Sequence, residues 1–338
     1  MRAGLIGAND PPPFETINED GEAALLLICD HASCAMPEAL NLLGLDEATV
    51  TDHIGWDIGA AAVTRQLSIL LDAPAVLAGY SRLLIDCNRP AAAPDLVPPV
   101  ADGRPVPGNQ DLSPGDIAAR REAFFEPYHE EIRYFLDKLE TTGQVPILAA
   151  IHSFTPAMTS DDEARPWQIS ICWDRDGRVA LPALAALREE GLCVGENQPY
   201  GFDELSDFAI PEYGLKRGLP HILVEIRNDQ IRSDADVATW AARLALHFTA
   251  ALRRRNASRC SELSVRRVDA FDRHQSGRRK FGQVAGEGPR CLALVVQRFL
   301  ASVGFDHHAA TEIAQRFTRK LPDAIADQAA FRPFIALV

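Results

Sequence analysis

Short apolar runs alternate with longer segments of helical periodicity from residue 23 to residue 252 of the 338-residue chain. The runs are short enough for buried strands, whereas the segments between them space apolar residues as an amphipathic helix does. Strands are predicted at 23–29, 75–79, 83–86, 147–151, 168–173, 192–195 and 221–226. This alternation indicates an α/β fold with three layers, in which helices cover both faces of a mixed sheet.

Four helices are predicted between and after these strands. The first begins near Asp57, the second follows the sequence LSPGD and is kinked by Pro127, the third covers 181–190, and Asp234 caps the fourth. Residues 91–115 are rich in Pro, Ala and Gly, which predicts a long loop. Such a loop in a compact domain is more often functional than idle.

Charge predicts a domain boundary near residue 256. The whole chain has a net charge of −13, which argues against general affinity for nucleic acid. Residues 256–338 nevertheless hold more Lys and Arg than Asp and Glu. We therefore expect an α/β domain over residues 1–255 and a basic C-terminal extension over 256–338, with a linker-like segment at 256–289 and a helix at 290–303.

Cysteine usage and the N-terminal sequence favour a cytoplasmic protein. The seven cysteines form no C-x-x-C motif, and Cys29, Cys87, Cys172 and Cys193 lie in apolar runs, as expected of core residues in a reducing compartment. The N-terminus has no apolar signal core, and no segment approaches the roughly 18 apolar residues of a membrane helix. We expect no membrane partner, and the sequence leaves the oligomeric state open.

Charged and imidazole side chains follow or flank several of the apolar runs. In α/β sheets ligands bind beyond the carboxyl ends of the strands, so these side chains are candidates for one common site. A glutamate inside an apolar run is costly to bury unless it is paired, protonated or used in chemistry. The candidates are Asp30, His31, His53, Asp57, Asp86, Asn88, Arg89, His152, Glu225 and Arg227.

Each candidate also has an ordinary structural explanation. Asp57 is equally suited to be a plain helix N-cap, His152 a hydrogen-bonded core histidine, and Glu225 with Arg227 a structural ion pair. Their joint occurrence in one α/β unit favours metal-assisted amide hydrolysis. Two imidazoles and one carboxylate hold zinc with a fourth position open, a glutamate moves the proton, and an arginine binds a substrate carboxylate.

Other catalytic chemistries have weaker support in the sequence. There is no G-x-S-x-G nucleophile elbow, and no glycine-rich nucleotide-binding motif is present. Ser153 follows His152 but has no evident base. Cys34 lies among apolar neighbours without a cation that would activate its thiol.

Five sequence blocks together resemble the N-formylglutamate amidohydrolase family. In chain order they are CDHAS, HIGWDIGA, YSRLLIDCNRP, IHSFTP and GLPHILVEIRND. The resemblance covers roughly residues 12–255 and excludes the tail. It implies a phosphorylase/hydrolase-like α/β fold related to zinc carboxypeptidases and aspartoacylases. It also implies hydrolysis of N-formylglutamate to formate and glutamate, a step of histidine degradation.

The resemblance also suggests roles for individual residues. It places Asn88 and Arg89 at the substrate carboxylate, His152 on the metal and Glu225 as the catalytic glutamate. Aspartoacylase-type relatives supply two ligands from one H-x-x-E segment, but here Cys34 stands three residues after the first histidine. A further departure is Tyr213, where related sequences tend to have histidine, and it leaves the substrate preference open.

We therefore predict a metal-dependent amidohydrolase, with zinc or another divalent ion, acting on a small N-acyl amino acid, N-formyl-L-glutamate first. The predicted metal ligands are His31, Asp57 and His152, and His53 is the alternative to Asp57. Glu225 is the predicted general base and then acid.

Arginines are predicted to bind the acidic substrate. Arg89, helped by Asn88, takes the α-carboxylate, and Arg82 or Arg227 takes the side-chain carboxylate. Two alternatives stay open: a zinc deacylase or carboxypeptidase-like enzyme acting on another acidic amide, and a non-catalytic binding protein that uses the basic tail for docking.

Overall fold

The computed structural model describes residues 4–160, 163–201 and 207–267, with side chains described as far as residue 253. The chain divides into one compact unit over Met1–Leu252 and a second over Arg253–Val338. Of the second unit, only the continuation of one helix falls among the described residues. The predicted boundary between residues 255 and 256 stays a prediction.

A seven-stranded mixed sheet lies at the centre of the first unit, in the order β1-β3-β2-β6-β9-β7-β8. Strands β3, β2, β6 and β9 run parallel to one another, whereas β1 and β7 are antiparallel to their neighbours β3 and β9. A separate hairpin pairs β4 with β5. The strands are β1 (Phe14–Ile17), β2 (Leu25–Cys29), β3 (Ala75–Ala78), β4 (Val100–Ala101), β5 (Arg104–Pro105), β6 (Ile147–Phe154), β7 (Ile169–Cys172), β8 (Val194–Glu196) and β9 (His221–Arg227).

Helices cover both faces of this sheet, which confirms the predicted three-layer α/β fold. They are α1 (Glu47–Val50), α2 (Ala60–Leu71), α3 (Pro114–Arg120), α4 (Glu126–Thr141), α5 (Ala180–Glu189) and α6 (Asp234–Arg267). Leu25 and Leu27 of β2 pack in one core with residues of α2, α5 and α6, whereas Leu26 and Ile28 pack with α4 on the other face. Successive strand side chains point to opposite faces, so this central parallel strand is apolar throughout.

The predicted strand at 83–86 is wrong, although its side chains are buried. Leu83 and Leu84 pack in a third core beside Phe124. Their carbonyl groups accept hydrogen bonds from the side chains of Asn109 and Arg120, at 2.8 and 3.0 Å, and not from a neighbouring strand. An apolar run indicates burial, which a strand is not needed to provide. In this segment the side-chain donors satisfy backbone carbonyls that a neighbouring strand would otherwise pair. Strand β1 was not predicted.

The helix predicted after LSPGD changes its hydrogen-bonding pattern before its proline. A single π-helical turn, Arg121–Phe125, separates α3 from α4, and Pro127 lies in the first turn of α4. A proline inside a helix cannot donate a backbone hydrogen bond, so the chain widens before it. The predicted change in the helix is therefore seen as this π-helical turn before Pro127.

Three smaller expectations need correction. Ser233, and not Asp234, caps α6, because its Oγ lies 3.2 Å from the backbone N–H of Asp236 that donates to it. The segment predicted as a linker at 256–289 is helical as far as Arg267, and its remainder and the helix predicted at 290–303 lie outside the described residues. Cys193 is exposed, whereas Cys29, Cys87 and Cys172 are buried. Among the described helices, none is long and apolar enough to cross a membrane.

Candidate metal centre and active site

Three of the predicted site residues meet at the carboxyl ends of the parallel strands. His31 follows β2, Asp57 precedes α2, and His152 lies near the end of β6. One possible ligand atom from each lies within 4.8 Å of the others, and all three residues are buried. Within the described part of the chain, no other group of three such side chains is arranged to hold a metal ion.

One carboxylate oxygen of Asp57 lies at the centre of this group. Asp57 Oδ2 is 3.3 Å from His31 Nδ1 and 2.8 Å from His152 Nδ1. It also accepts a hydrogen bond from the backbone N–H of Ser153 at 3.2 Å. The cap position of α2 is Gly59, where no side chain makes a capping hydrogen bond. The Asp57 carboxylate therefore serves the two histidines and not the helix end.

Two further carboxylates form hydrogen bonds with the Nε2 atoms of the imidazoles. His31 Nε2 lies 2.7 Å from Asp86 Oδ1, and His152 Nε2 lies 3.0 Å from Asp30 Oδ2. Tyr128 donates its hydroxyl proton to the second oxygen of Asp30 at 2.9 Å. A histidine whose Nε2–H donates to a carboxylate offers its Nδ1 lone pair to a metal.

The donor set therefore fits a divalent metal such as zinc. It provides two imidazole nitrogens and one carboxylate oxygen, and each imidazole is oriented by its own outer carboxylate. Asp30 and Asp86 are candidates in the sequence, but nothing there assigns either carboxylate to a histidine. Asp30 directly precedes His31, and Asp86 lies in a polar turn. Neither position shows which imidazole the carboxylate will contact in the fold.

The acidic surroundings change the pKa of each member of this group. Burial and the Arg82 cation lower the pKa of His31, but Asp86 and Asp57 outweigh them, and the net shift is upward. Burial opposes charge on His152 too, yet the carboxylates of Asp30 and Asp57 raise its pKa. Burial alone would raise the pKa of Asp57, whereas the two histidines bring it well below the ordinary value. A metal bound at the two Nδ1 atoms would compete with protons for the imidazole lone pairs.

Glu225 lies in the middle of β9, where it is the register partner of His152 on β6. Its Oε2 atom is buried and has no hydrogen-bond partner among the described residues. The pKa of Glu225 is raised to about 7, chiefly by burial. His152 lowers this pKa, whereas Asp57 raises it further. A carboxyl group that titrates near neutrality can take up a proton and return it.

A cavity of about 500 Å³ opens over these residues. The three candidate ligands and Glu225 form part of its wall, together with Arg82, Asn88 and Arg89. Arg82 donates to Asp86 Oδ2 from Nε at 3.1 Å and from Nη2 at 2.7 Å, and its Nη1 lies 3.7 Å from Asp57 Oδ1. The structure thus brings one predicted substrate-binding arginine directly beside the metal group.

Asn88 and Arg89 also line the cavity, but their side chains differ in how they are engaged. Asn88 Oδ1 accepts from the backbone N–H groups of Phe208 and Ala209 at 3.1 and 3.0 Å, and its Nδ2 donates to Asp207 at 3.1 Å. Its amide therefore holds the chain at 207–209. Arg89 donates to Asp95 at 2.8 Å and keeps about one-fifth of its side chain exposed (21%).

Two predicted residues lie elsewhere. Arg227 is absent from the described cavity wall; it pairs with Asp229 and donates to the backbone carbonyl of Arg165 at 3.0 Å. Tyr213 is buried in the core on the α4 face, where its hydroxyl lies 3.4 Å from the carbonyl of His129. Tyr213, which stands where related sequences tend to have histidine, therefore does not line the cavity.

His53, the alternative ligand, lies at the rim of the cavity and outside the candidate metal group. Its Nδ1 is 3.0 Å from Asp52, and its Nε2 is 3.2 Å from Asp102 in the turn of the β4–β5 hairpin. Asp102 also accepts from the backbone N–H groups of Thr159 and Ser160 at 2.9 and 2.8 Å. The predicted long loop at 91–115 thus contributes the hairpin that forms this rim.

The rejected nucleophiles are not activated in the structure. Ser153 Oγ donates to the backbone carbonyl of Ile58 at 2.9 Å. Cys34 is half-buried, and burial raises its pKa, so the unreactive thiol form is favoured. Among the described residues, no base forms with either side chain the hydrogen bond that nucleophilic catalysis needs.

Comparison with known proteins shows a family match and similar folds. A family model described as N-formylglutamate amidohydrolase matches residues 23–232. A gene product of Agrobacterium tumefaciens has a similar crystal structure, with 32% identity and a TM-score of 0.70 over 74% of this chain and 98% of that one. An N-formylglutamate amidohydrolase from Ralstonia eutropha, 19% identical, has a TM-score of 0.54 over 74% of this chain and 100% of its own, which shows a shared fold. A search of curated proteins gives no match.

Proposed function

The chain belongs to the N-formylglutamate amidohydrolase family, and from this premise we propose that it hydrolyses N-formyl-L-glutamate to formate and L-glutamate. The observation that carries this proposal is the buried group of His31, Asp57 and His152 beside Glu225, at the wall of one cavity. The family resemblance further suggests histidine degradation as the context of the reaction.

We propose that a divalent ion, zinc first, is bound by Nδ1 of His31, Nδ1 of His152 and a carboxylate oxygen of Asp57. Two imidazoles and one carboxylate are a donor set of catalytic zinc sites, in which the fourth position stays open. When bound, the ion lowers the pKa of water and polarises the amide carbonyl. Asp30 and Asp86 keep the two imidazoles oriented through their Nε2 atoms.

Glu225 moves the proton in this proposal. Its carboxylate accepts a proton from the attacking water, whose oxygen forms a bond to the formyl carbon. The carbon–nitrogen bond then breaks, and Glu225 delivers the proton to the leaving nitrogen. The first products are formic acid and the neutral amine of glutamate, and the acid proton then passes to the amine, which leaves formate and a protonated amino group. One water is consumed for each amide bond.

Arg89 and Arg82 are the proposed partners of the two substrate carboxylates. Both guanidinium groups line the cavity, and each pairs with an aspartate, Arg82 with Asp86 and Arg89 with Asp95. A guanidinium group has five N–H donors in a planar fork that matches a carboxylate. The pairing with Asp95 and Asp86 fixes their directions. Asn88 supports Arg89 through its backbone carbonyl, which accepts from Arg89 Nη1 at 3.4 Å, while its side-chain amide holds residues 207–209. Arg227 has no direct substrate contact in this proposal, since its guanidinium donates to Asp229 and Arg165.

Formate release from N-formyl-L-glutamate by purified protein tests the proposal. We expect turnover by protein that contains about one divalent ion per chain, loss of turnover after dialysis against a chelator, and recovery when zinc is added. Metal analysis of protein purified without added metal identifies the ion. Full activity after complete metal removal would overturn the metal assignment, and absence of formate release by metal-loaded protein would overturn the substrate.

A second candidate is hydrolysis of a larger N-acyl amino acid. The cavity of about 500 Å³ lies within the range of roughly 300–1,000 Å³ that holds drug-sized ligands, so its size does not require an acyl group as small as formyl. A panel of N-formyl, N-acetyl and γ-glutamyl substrates distinguishes these activities. Turnover of N-acetylglutamate without turnover of N-formylglutamate would favour this second function.

A further inference from the structure

Tyr200 differs from the other tyrosines of the chain in its position. Tyr80, Tyr128 and Tyr213 are buried, and Tyr134 is exposed on α4 away from the cavity. Tyr200 alone among the five tyrosines forms part of the cavity wall, and 42% of its surface is exposed. It follows β8, so neither the strand-end argument nor the sequence blocks of the family pointed to it.

The hydroxyl of Tyr200 is held by an arginine. Arg165 Nη1 lies 2.9 Å from the phenolic oxygen, and because a guanidinium group can only donate, the oxygen must accept. The hydroxyl proton is then available for a second acceptor. The hydrogen bond from Arg165 also makes the phenol a better donor to that acceptor, because linked hydrogen bonds polarise one another.

Arg165 is itself positioned by a hydrogen bond from Arg227. Its backbone carbonyl accepts a hydrogen bond from Arg227 Nη1 at 3.0 Å, and Arg227 also pairs with Asp229 at 2.8 Å. Arg165 is buried, with 7% of its surface exposed. The predicted substrate-binding residue Arg227 thus supports the residue that orients Tyr200.

The charges around Tyr200 keep its hydroxyl protonated. Burial and the Glu225 carboxylate raise the pKa of Tyr200, against smaller effects of Arg165 and Arg82 in the opposite direction. The phenol is therefore a neutral donor at neutral pH. Tyr200, Glu225 and Arg82 line the same cavity.

We propose that the Tyr200 hydroxyl, oriented by Arg165, donates a hydrogen bond to a carboxylate of the acidic substrate and so determines specificity together with Arg82. This inference rests on the proposed function, because it concerns the same cavity. It assigns to Tyr200 a role in binding and none in proton transfer.

Kinetics of Tyr200→Phe test the proposal, with Tyr134→Phe as the matched control. Loss of one hydrogen bond to a charged group raises KM for N-formyl-L-glutamate by about 10- to 100-fold, while kcat stays within about twofold of wild type. Tyr134→Phe changes neither constant. Both variants keep the thermal unfolding midpoint of the wild type, which a merely structural role of the Tyr200 hydroxyl would lower.

Calorimetric titration with L-glutamate, the proposed product, separates this inference from the proposed function. We expect Tyr200→Phe to weaken glutamate binding by the same factor as KM. Equal glutamate affinity in wild type and Tyr200→Phe, or no glutamate binding by wild type, would overturn the role of Tyr200. Glutamate binding that depends on Tyr200 in a protein that releases no formate would overturn the proposed function and leave this inference standing.

Discussion

At the scale of single residues, Glu225 is distinguished by a buried carboxyl oxygen without a hydrogen-bond partner among the described residues. Burial of an unsatisfied carboxyl group is costly, and here it leaves the pKa at about 7. Glu130, the same residue type at the surface of α4, is exposed and pairs with Arg133. Environment therefore distinguishes the candidate base from the other carboxylates of the chain.

Glu225→Gln tests this assignment. The amide preserves the size of the side chain but cannot take up a proton, so we expect kcat to fall by about 10²- to 10⁴-fold. Glu130→Gln, at an exposed position on α4, is the control and keeps wild-type activity. Metal content, measured by elemental analysis, stays unchanged in both variants. Retention of full hydrolysis by Glu225→Gln would show that another group moves the proton.

The buried imidazole of His129 makes the stability of the fold depend on pH. It is buried on α4, where its Nε2 lies 2.9 Å from the carbonyl of Cys87 and its Nδ1 has no hydrogen-bond partner among the described residues. Burial lowers its pKa from the ordinary 6.5 to about 4, with smaller opposing contributions from Asp30 and Cys87. The folded protein therefore resists a proton that the unfolded chain accepts.

The sign of the resulting pH dependence follows from this difference. The contribution of His129 is fully present above pH 6.5 and is lost as pH falls from about 6.5 to about 4. We expect the unfolding free energy of the wild type to fall over that interval by up to about 3 kcal/mol more than that of His129→Gln. Urea denaturation at a series of pH values measures this, and parallel curves for the two proteins would contradict it.

At the scale of elements, the start of α6 shows why a cap cannot be assigned by residue type alone. Ser233 and Asp234 are neighbours, and both types are favoured at helix N-caps. In the structure Ser233 accepts from the backbone of Asp236, and the Asp236 carboxylate accepts from the backbone N–H of Ser233. This reciprocal pair satisfies two backbone donors, and the Asp234 side chain takes no part in it.

Substitution of the two neighbours separates these roles. We expect Ser233→Ala to lower the unfolding free energy by about 1 kcal/mol, since a donor of the first turn loses its acceptor. Asp234→Ala is the matched control, and we expect a change below about 0.5 kcal/mol. Thermal or urea unfolding compares them. An equal loss in both variants would mean that charge near the helix start matters more than the cap.

At the scale of the whole molecule, the candidate metal group joins parts of the chain that are far apart. His31 and Asp57 are 26 residues apart, and Asp30 and His152 are 122 residues apart. A ligand that binds only the folded arrangement stabilises it by mass action. Metal binding is therefore expected to stabilise the first compact unit as a whole.

Chelation tests this linkage. We expect removal of the ion to lower the unfolding free energy by about 4 kcal/mol where free zinc had exceeded its dissociation constant a thousandfold. His152→Ala should lose most of this metal-dependent change, whereas His247→Ala, whose imidazole pairs with Glu190 outside the cavity, should keep it. The measurement is thermal unfolding with and without zinc. A metal-dependent change that survives in His152→Ala would place the ion elsewhere.

The sequence by itself determined the fold class and most of the strands, and it predicted the three side chains that meet in the candidate metal group. It did so because strand and helix periodicity are local properties, and because strand ends of a parallel sheet meet at one edge. The same local signal was misleading at residues 83–86, where side-chain donors replace a neighbouring strand.

Only the tertiary structure decided which atoms meet. It brought the Asp57 carboxylate to two histidines and not to the cap of α2, gave Asp30 and Asp86 their orienting roles, and turned Arg227 away from the cavity. It also introduced Tyr200, which no pattern had marked. The physical reason is that these contacts join residues far apart in the chain, and their directions depend on packing that a local pattern does not encode.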